Sequence, residues 1–368
     1  MLIRHKFLWP VDGEGQQRQS VGPFKALFTV FLVVLLVPLL KPFGFSLIPV
    51  RVFANFVGTM KLKSGISLGE LAALVNGRVM GDPSMKVTGI NEIHRVENGD
   101  LTFVDHPKYY DKALQSAATF IIINKEVEVP PGKGLIFSDD PFRDYVYLTR
   151  RFMPFIPSQS GVDPSAKIGE GTIIQPNASV GPEVVIGKNC IIHPGAVIYQ
   201  HCVIGDNVIV HANAVIGADA FYYKKRPDYY EKMHSCGRVV LEDFVEIGAC
   251  STVDRGVSAD TIIGKGTKLD NHVHVGHDTV IGKNCLFAAH VGIAGCVNIE
   301  DNVIFWGQVG CQKDVTIGAG AIVYAQSGIS KSLKGGVVYF GSPAKEAREK
   351  MKEMALVSRL PEVFEKLK

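Results

Sequence analysis

The architecture is set by residues 260–329, DTIIGKGTKLDNHVHVGHDTVIGKNCLFAAHVGIAGCVNIEDNVIFWGQVGCQKDVTIGAGAIVYAQSGI. Every sixth residue is apolar without a slip: Ile263, Leu269, Val275, Ile281, Phe287, Ile293, Ile299, Phe305, Cys311, Ile317, Val323 and Ile329. A helix repeats its apolar face every 3.6 residues and a half-buried strand every 2, so neither produces this pattern. Strict six-residue repetition is the mark of a hexapeptide parallel β-helix, in which each hexad makes a short strand and a turn and three hexads close a triangular coil. Residues eighteen apart then stand above one another, about 4.8 Å away.

Towards the N-terminus the same period runs from Val162 through Ile168, Ile174, Val180, Ile186, Ile192, Ile198, Ile204 and Val210 to Ile216. It breaks over Phe221 to Arg238, resumes at Leu241, Ile247 and Val253, and absorbs a small insertion near Ala259. The 38 glycines of the chain fit the repeat, since they are too irregular for collagen and too evenly spread for a linker. Cys190, Cys202 and Cys285 fall in the small-residue slot of their hexads, where packing is their expected role. None of the seven cysteines forms a CxxC pair, which argues against a structural zinc site. Their odd number and wide spacing fit reduced thiols in a cytoplasmic compartment. A net charge of +3 over 368 residues gives no sign of a nucleic-acid binder.

Upstream of the repeat the pattern is that of a small α/β domain. Ser67 and Glu70 have capping-box spacing ahead of Leu68, Leu71, Ala72 and Val75, and Asn76-Gly77 ends that helix. Leu101 to Val104, Thr119 to Ile123 and Gly134 to Phe137 are strand candidates, and Asp140-Pro141 opens a second helix towards Phe152. Downstream, the chain leaves the prism near Gly341-Ser342-Pro343, and Ala344 to Leu356 has helix-forming composition, with Pro361 interrupting before a last short turn. The expected architecture is mainly β. It comprises an extension over residues 1–59, an α/β domain over 60–157, the β-helix over 158–341 and a helical tail over 342–368.

The extension holds an apolar run, Ala26 to Leu40, of about fifteen residues, short of the ~20 that span a bilayer. Pro42, Gly44, Pro49 and Arg51 interrupt the apolar residues beyond Leu40, and no cleavage site of the signal-peptide kind stands out. Residues 1–59 are expected to be a dispensable extension or a misassigned start, Met60 being the natural beginning. The rival is a short membrane anchor, with membrane contact only if residues 26–57 form a real segment.

Three stretches carry a family resemblance: Gly237-Arg238-Val239-Val240, Glu246 to Gly256 (EIGACSTVDRG) and Asp270 to His277 (DNHVHVGH). On a hexapeptide frame they resemble the left-handed β-helix acyltransferases, and within them the UDP-3-O-acylglucosamine N-acyltransferases of lipid A biosynthesis, from Met60 to the C-terminus. The left hand comes from the resemblance, because the general crossover rule favours the right. Leu101-Thr102-Phe103 with Pro107-Lys108-Tyr109 is similar to that family's uridine-binding segment, where two rings sandwich the uracil. Phe103 and Tyr109 fall at their positions, while His106 stands where the family commonly has Asn. Read on spacing alone, the two rings are expected simply to belong to a strand and a small core.

The resemblance implies transfer of a 3-hydroxyacyl group from acyl carrier protein to the 2-amine of a UDP-linked 3-O-acylglucosamine. It also implies a homotrimer with sites between neighbouring prisms, and no cofactor or metal. The family's general base falls on His277, and imidazole suits taking the proton that the amine loses as it attacks the thioester at neutral pH. Gly295, one coil above, is the expected oxyanion donor through its backbone N–H. Asp270 is a candidate to orient the imidazole, or else simply caps a corner. His272 and His274 are expected to support the fold or the site, and His290 to line an acyl groove. The basic residues of the insertion (Lys224, Lys225, Arg226, Lys232, Arg238) and of the tail (Lys345, Arg348, Lys350, Lys352) are alternative docking surfaces for the acidic carrier protein.

Three other readings stay open on the sequence. A γ-class carbonic anhydrase uses the same coil and a histidine pair with the offset of His272 and His277, although no matching third histidine lies upstream. The second is a non-catalytic prism. The third is a sugar O-acyltransferase or N-acetyltransferase, whose relatives usually lack the N-terminal domain.

Overall fold

The computed structural model describes residues 60–367. The expectations for residues 1–59, extension or anchor, lie outside the described residues. Among those described, no helix is long and apolar enough to cross a membrane.

The small domain is built on six strands: β1 (Lys61–Ser67), β2 (Arg78–Met80), β3 (Lys86–Ile90), β4 (Asp100–Val104), β5 (Phe120–Ile123) and β6 (Gly134–Phe137). They lie in the order β1-β3-β4-β5-β6-β2, with the central β3, β4, β5 and β6 parallel and both edges antiparallel. The near-continuous apolar run of β5, buried at all four positions, is what a central parallel strand covered on both faces requires. Helix α1 (Leu68–Leu74) starts at the expected capping box, Ser67 and Glu70 exchanging hydrogen bonds, and ends before Asn76 at φ 52°. Helix α2 (Tyr110–Leu114) is short. Helix α3 (Pro141–Phe152) opens on Asp140, whose carboxylate accepts the Arg143 N–H, and buries Phe142, Tyr145, Val146 and Leu148 against the sheet.

From Val162 the chain winds a triangular prism with three parallel sheets of eight, ten and eight strands; the ten-stranded sheet is closed by one antiparallel strand at its end. Partners are eighteen residues apart wherever no insertion intervenes, as in Val185↔Val203 and His274↔Gly292. The sixth-position residues point inward and form one continuous core, in which Phe287 and Phe305 stack at 5.0 Å between centroids. Each such ring, fully removed from water, contributes about 1.5–3 kcal/mol. Cys190, Cys202 and Cys285 are buried in this core as free thiols. The corners require φ near +60°, and Asn, which tolerates that region, supplies many of them, including Asn177, Asn207 and Asn302.

The break at Phe221 to Arg238 is a hairpin, Tyr223–Lys225 against Tyr230–Lys232. It reaches back to the small domain, where Arg226 pairs with Asp140 at 2.7 Å and Arg143 with Glu231 at 3.4 Å. Met233, Cys236 and Ala220 share an apolar cluster with Phe142 and Tyr145. Helix α4 (Ala347–Ser358) follows the prism, and α5 (Leu360–Lys366) carries Pro361 in its first turn. Pro361 therefore begins a helix where the sequence suggested an interruption, consistent with its lack of a needed N–H there.

Candidate active site

A cleft of about 1100 Å³ runs up one face of the prism, walled at its lower end by the small domain (Glu92, His94) and the hairpin (Phe221, Tyr222). His277 sits at this lower end, on the corner after Val275. Its Nδ1 lies 2.9 Å from Oδ2 of Asp278, and the same carboxylate oxygen accepts the Val257 N–H at 2.9 Å. An oxygen already accepting one N–H is the acceptor in the second bond as well. The proton therefore resides on Nδ1, and Nε2 keeps its lone pair. Asp278 is nearly buried. Its N–H donates to Thr261 Oγ1, and Arg95 of the small domain donates to its carbonyl at 3.2 Å, so the orienting group is itself held from three sides.

Gly295 stands directly over the imidazole: a Cβ placed on it would lie 2.6 Å from His277 Nε2. Among the described residues its N–H has no acceptor. At corners where an acid stands one coil above, that side chain caps the corresponding N–H. Lys188 N–H donates to Asp206 at 2.6 Å and Lys283 N–H to Asp301 at 2.8 Å. Above Gly295 the residue is Lys313, which offers no acceptor. An open N–H beside a base with a free lone pair is the pairing that acyl transfer requires.

Upward from His274 the outward-facing position is glycine in three successive coils, Gly292, Gly310 and Gly328. A Cβ on Gly292 or Gly310 would meet nothing within 4 Å, so neither the backbone nor the packing demands glycine at those two positions. What they provide is a furrow without side chains, three coils long and about 14 Å at the strand spacing. Ile293, Ala294, Cys311, Ile329 and Pro343 line the cleft beside it.

The sequence expectations fare unevenly. His277 and Gly295 come together as expected. Asp270 does not reach the imidazole. It lies on the preceding face, exposed, and caps the Asn271 N–H at 2.7 Å; Asp278, adjacent in sequence, takes its place. A separation of seven residues carries the chain past a full corner, which is why Asp270 points elsewhere. His290 is not in this cleft: it stacks on His272 at 5.0 Å along a corner. His274 does line the cleft, with Thr252 Oγ1 2.8 Å from Nδ1.

Phe103 is half-buried against Tyr145 (4.7 Å) and Phe142 (5.9 Å), whereas Tyr109 is about half exposed beside His106 (5.8 Å). His106 Nδ1 accepts the Lys108 N–H. Rings link this region to the base, since Tyr222 lies 6.3 Å from Phe142 and 6.4 Å from His277, nearly parallel to the imidazole. Sequence reasoning missed Tyr222, Asp278, Asp254 and Glu92. The first two carried a signal, as an aromatic opening the insertion and an acid next to the base.

Several groups of the site are shifted from their ordinary pKa, two of them next to Asp278. Burial and the neighbouring Asp278 raise Glu92 to about 8, and burial raises the Cys296 thiol to about 12. Ligand atoms of His277, Asp278 and Cys296 lie within 4.8 Å of one another. With Nδ1 committed to Asp278 and the thiol protonated, that cluster is arranged as a hydrogen-bonded dyad with a packed thiol.

Comparison with known proteins places the chain in a family. The profile of bacterial transferase hexapeptides matches residues 165–200, 183–218 and 260–295, and with the coil it defines the class as a hexapeptide-repeat transferase. The profile of UDP-3-O-(3-hydroxymyristoyl) glucosamine N-acyltransferase matches residues 84–151, within the small domain. The UDP-3-O-acylglucosamine N-acyltransferase of Christiangramia forsetii is 43% identical over 235 residues, covering 56% of this chain and 69% of its own. The enzyme of the same name from Parvibaculum lavamentivorans is 42% identical over 254 residues, covering 58% and 70%. Among solved structures, a UDP-N-acetylglucosamine acyltransferase from Campylobacter jejuni aligns over 52% of this chain and 73% of its own, at 23% identity and a TM-score of 0.47. The chain belongs to the UDP-3-O-acylglucosamine N-acyltransferase family.

Proposed function

We propose that the protein transfers a 3-hydroxyacyl group from the thioester of acyl carrier protein to the 2-amine of UDP-3-O-acylglucosamine, a step of lipid A synthesis. The single observation that carries the mechanism is the corner where His277 Nε2 and the unpaired Gly295 N–H share one opening. The amine attacks the thioester carbonyl and a C–N bond forms. His277 takes the proton that the nitrogen loses, and Gly295 N–H receives the oxyanion. When the C–S bond breaks, the imidazolium returns its proton to the leaving thiolate. Asp278 keeps the imidazole in the tautomer that can do this.

The glycine furrow receives the acyl chain, and the half-buried Phe103 with the exposed Tyr109 takes the uracil of the acceptor. Stacking of this kind is worth about 1–3 kcal/mol per base. Docking of the carrier protein falls to the C-terminal helix, where Arg348 and Lys352 carry no acidic partner among the described residues. In the insertion, Lys224, Arg226, Lys232 and Arg238 are already paired with Asp105, Asp140, Asp219 and Asp260 respectively. We assign a homotrimer and a cytoplasmic location on the strength of the family likeness.

The test is acyl transfer by the purified chain from 3-hydroxyacyl carrier proteins of several lengths to UDP-3-O-acylglucosamine. The expected product is the 2,3-diacylated sugar nucleotide, lost in a folded His277→Ala variant. Undiminished transfer by that variant overturns the mechanism, and absence of transfer by the native chain overturns the substrate.

A further inference from the structure

We propose that Asp254 is the site that receives the acceptor's amino group as an ammonium ion, and so makes the enzyme select an amine over a hydroxyl. The inference rests on the acyl-transfer reading above and names the recognition element that reading lacks.

Asp254 follows Val253, whose side chain points into the prism, and its own points outward into the cleft one coil below Gly276. A register shift against the strand below pairs Val253 with Ile216 but Asp254 with Ala218, leaving Gly217 unpaired at φ 90°. Such bulges re-aim the side chains around them. Phe221 and Tyr222 line the same cleft, and the carboxylate is nine-tenths buried.

Despite that burial, no described residue donates it a hydrogen bond. His274 Nε2 is the nearest cation-forming group, at 3.9 Å, beyond hydrogen-bonding reach. Arg255, the adjacent residue, is turned away, its guanidinium donating to the carbonyls of Gly217 (2.7 Å) and Gln200 (3.3 Å). A nearly buried carboxylate without donors is costly and uncommon. Burial accordingly raises its pKa, while His274 and His277 pull it back down.

The missing donor has a natural source. The carboxylate opens into the same cleft as His277, so one ligand bound there can reach both. An amine flanked by electron-withdrawing substituents, like a terminal α-amino group at about 7.7–8.0, arrives largely protonated near neutrality. An ammonium offers a positive charge and three donors, and Asp254 lacks a donor among the described residues. A hydroxyl offers one donor and no charge. Asp254 thus holds the cation until it loses a first proton to water in the open cleft, which frees the lone pair; His277 then takes the second proton as the C–N bond forms.

The experiment compares the full chain with Asp254→Asn and Asp254→Glu. Calorimetry without donor measures the affinity of UDP-3-O-acylglucosamine and of its 2-hydroxy counterpart UDP-3-O-acylglucose. Steady-state transfer to the amine gives KM and kcat. The expected result is that the native chain binds the amine at least tenfold more tightly than the hydroxyl compound. In Asp254→Asn that preference collapses towards unity, and kcat/KM for the amine falls about 10²-fold, a loss of the size expected when a charged hydrogen-bond partner is removed. The donor's KM is unchanged, and Asp254→Glu restores part of the preference. Equal affinity of the native chain for both compounds overturns the proposal, as does an Asp254→Asn variant that weakens both alike, which would make the residue structural. A native chain that transfers nothing to the amine refutes the reaction instead, and the two affinities still decide Asp254.

Discussion

Two corners of one prism show how little separates scaffold from site. At Lys283 the chain turns with the same geometry as at Gly295, the second residue after an inward aliphatic side chain in each case. Above Lys283 stands Asp301, whose carboxylate closes the N–H at 2.8 Å; above Gly295 stands Lys313, and the N–H stays open. The repeat satisfies its own backbone wherever an acid or amide sits one coil up. In the proposed mechanism, chemistry arises where that cap is withheld and a histidine is placed beneath. Supplying the cap should erase the difference. Lys313→Asp should close the Gly295 N–H as Asp301 closes that of Lys283, lowering kcat by about 10²–10³, the usual cost of an oxyanion donor. The thermal midpoint should be unchanged or raised. Unchanged kcat would show that this N–H is not the donor.

The second contrast lies between the acids flanking the base. Asp278 fixes the Nδ1 proton and Asp270 caps a remote corner. Asp278→Asn keeps the shape but offers an amide where a carboxylate accepted, and kcat should fall about 10²-fold, with acceptor binding unaffected. Asp270→Asn should leave turnover within twofold. The opposite ranking would restore Asp270 to the role the sequence suggested.

The difference between the two aspartates also marks what the sequence could tell. Ile263 to Ile329 determine the coil because a six-residue period has one structural explanation, and stacking at eighteen residues put Gly295 above His277. The same rule makes Gly292, Gly310 and Gly328 legible as a column, since each lies eighteen from the next. What it does not give is direction within a corner. Asp270 and Asp278 both lie close to His277 along the chain, and only the turn at Asp278, with φ 55°, brings its carboxylate back to Nδ1. Glu92 and Tyr222 belong to elements whose docking onto the prism has no sequence period, so nothing in the repeat announces them.

A third prediction sets the furrow against the apolar core behind it. Gly310→Leu would put a side chain into open space, where a Cβ meets nothing within 4 Å. Fold stability should hold, and transfer from donors long enough to pass the second glycine should drop. One displaced methylene is worth about 1–3 kcal/mol, or ~10–200-fold in kcat/KM. Short-chain donors should be unaffected. Equal loss for all lengths would remove the acyl chain from the furrow.

The smallest effect is expected at the seam between the small domain and the prism. Glu92 donates its backbone N–H to Ser258 Oγ at 2.9 Å, and it lines, together with Asp278, a smaller cavity of about 250 Å³. Burial, then repulsion by Asp278, lift its pKa to about 8 from an ordinary 4.5. The folded state therefore holds a proton that the unfolded chain releases between those values, so stability declines as pH rises through that window. Below it both states are protonated, and the contribution is fully present; above it the folded protein must accommodate a second charge next to Asp278. Glu92→Gln keeps the hydrogen-bonding shape and cannot ionise. Its thermal midpoint should match the native chain's near pH 4 and exceed it by a few degrees at pH 9, the two curves parting between about pH 4.5 and 8. Parallel curves across the range would mean that Glu92 is solvated in the folded protein, and that the small domain leaves the catalytic corner open to water on that side.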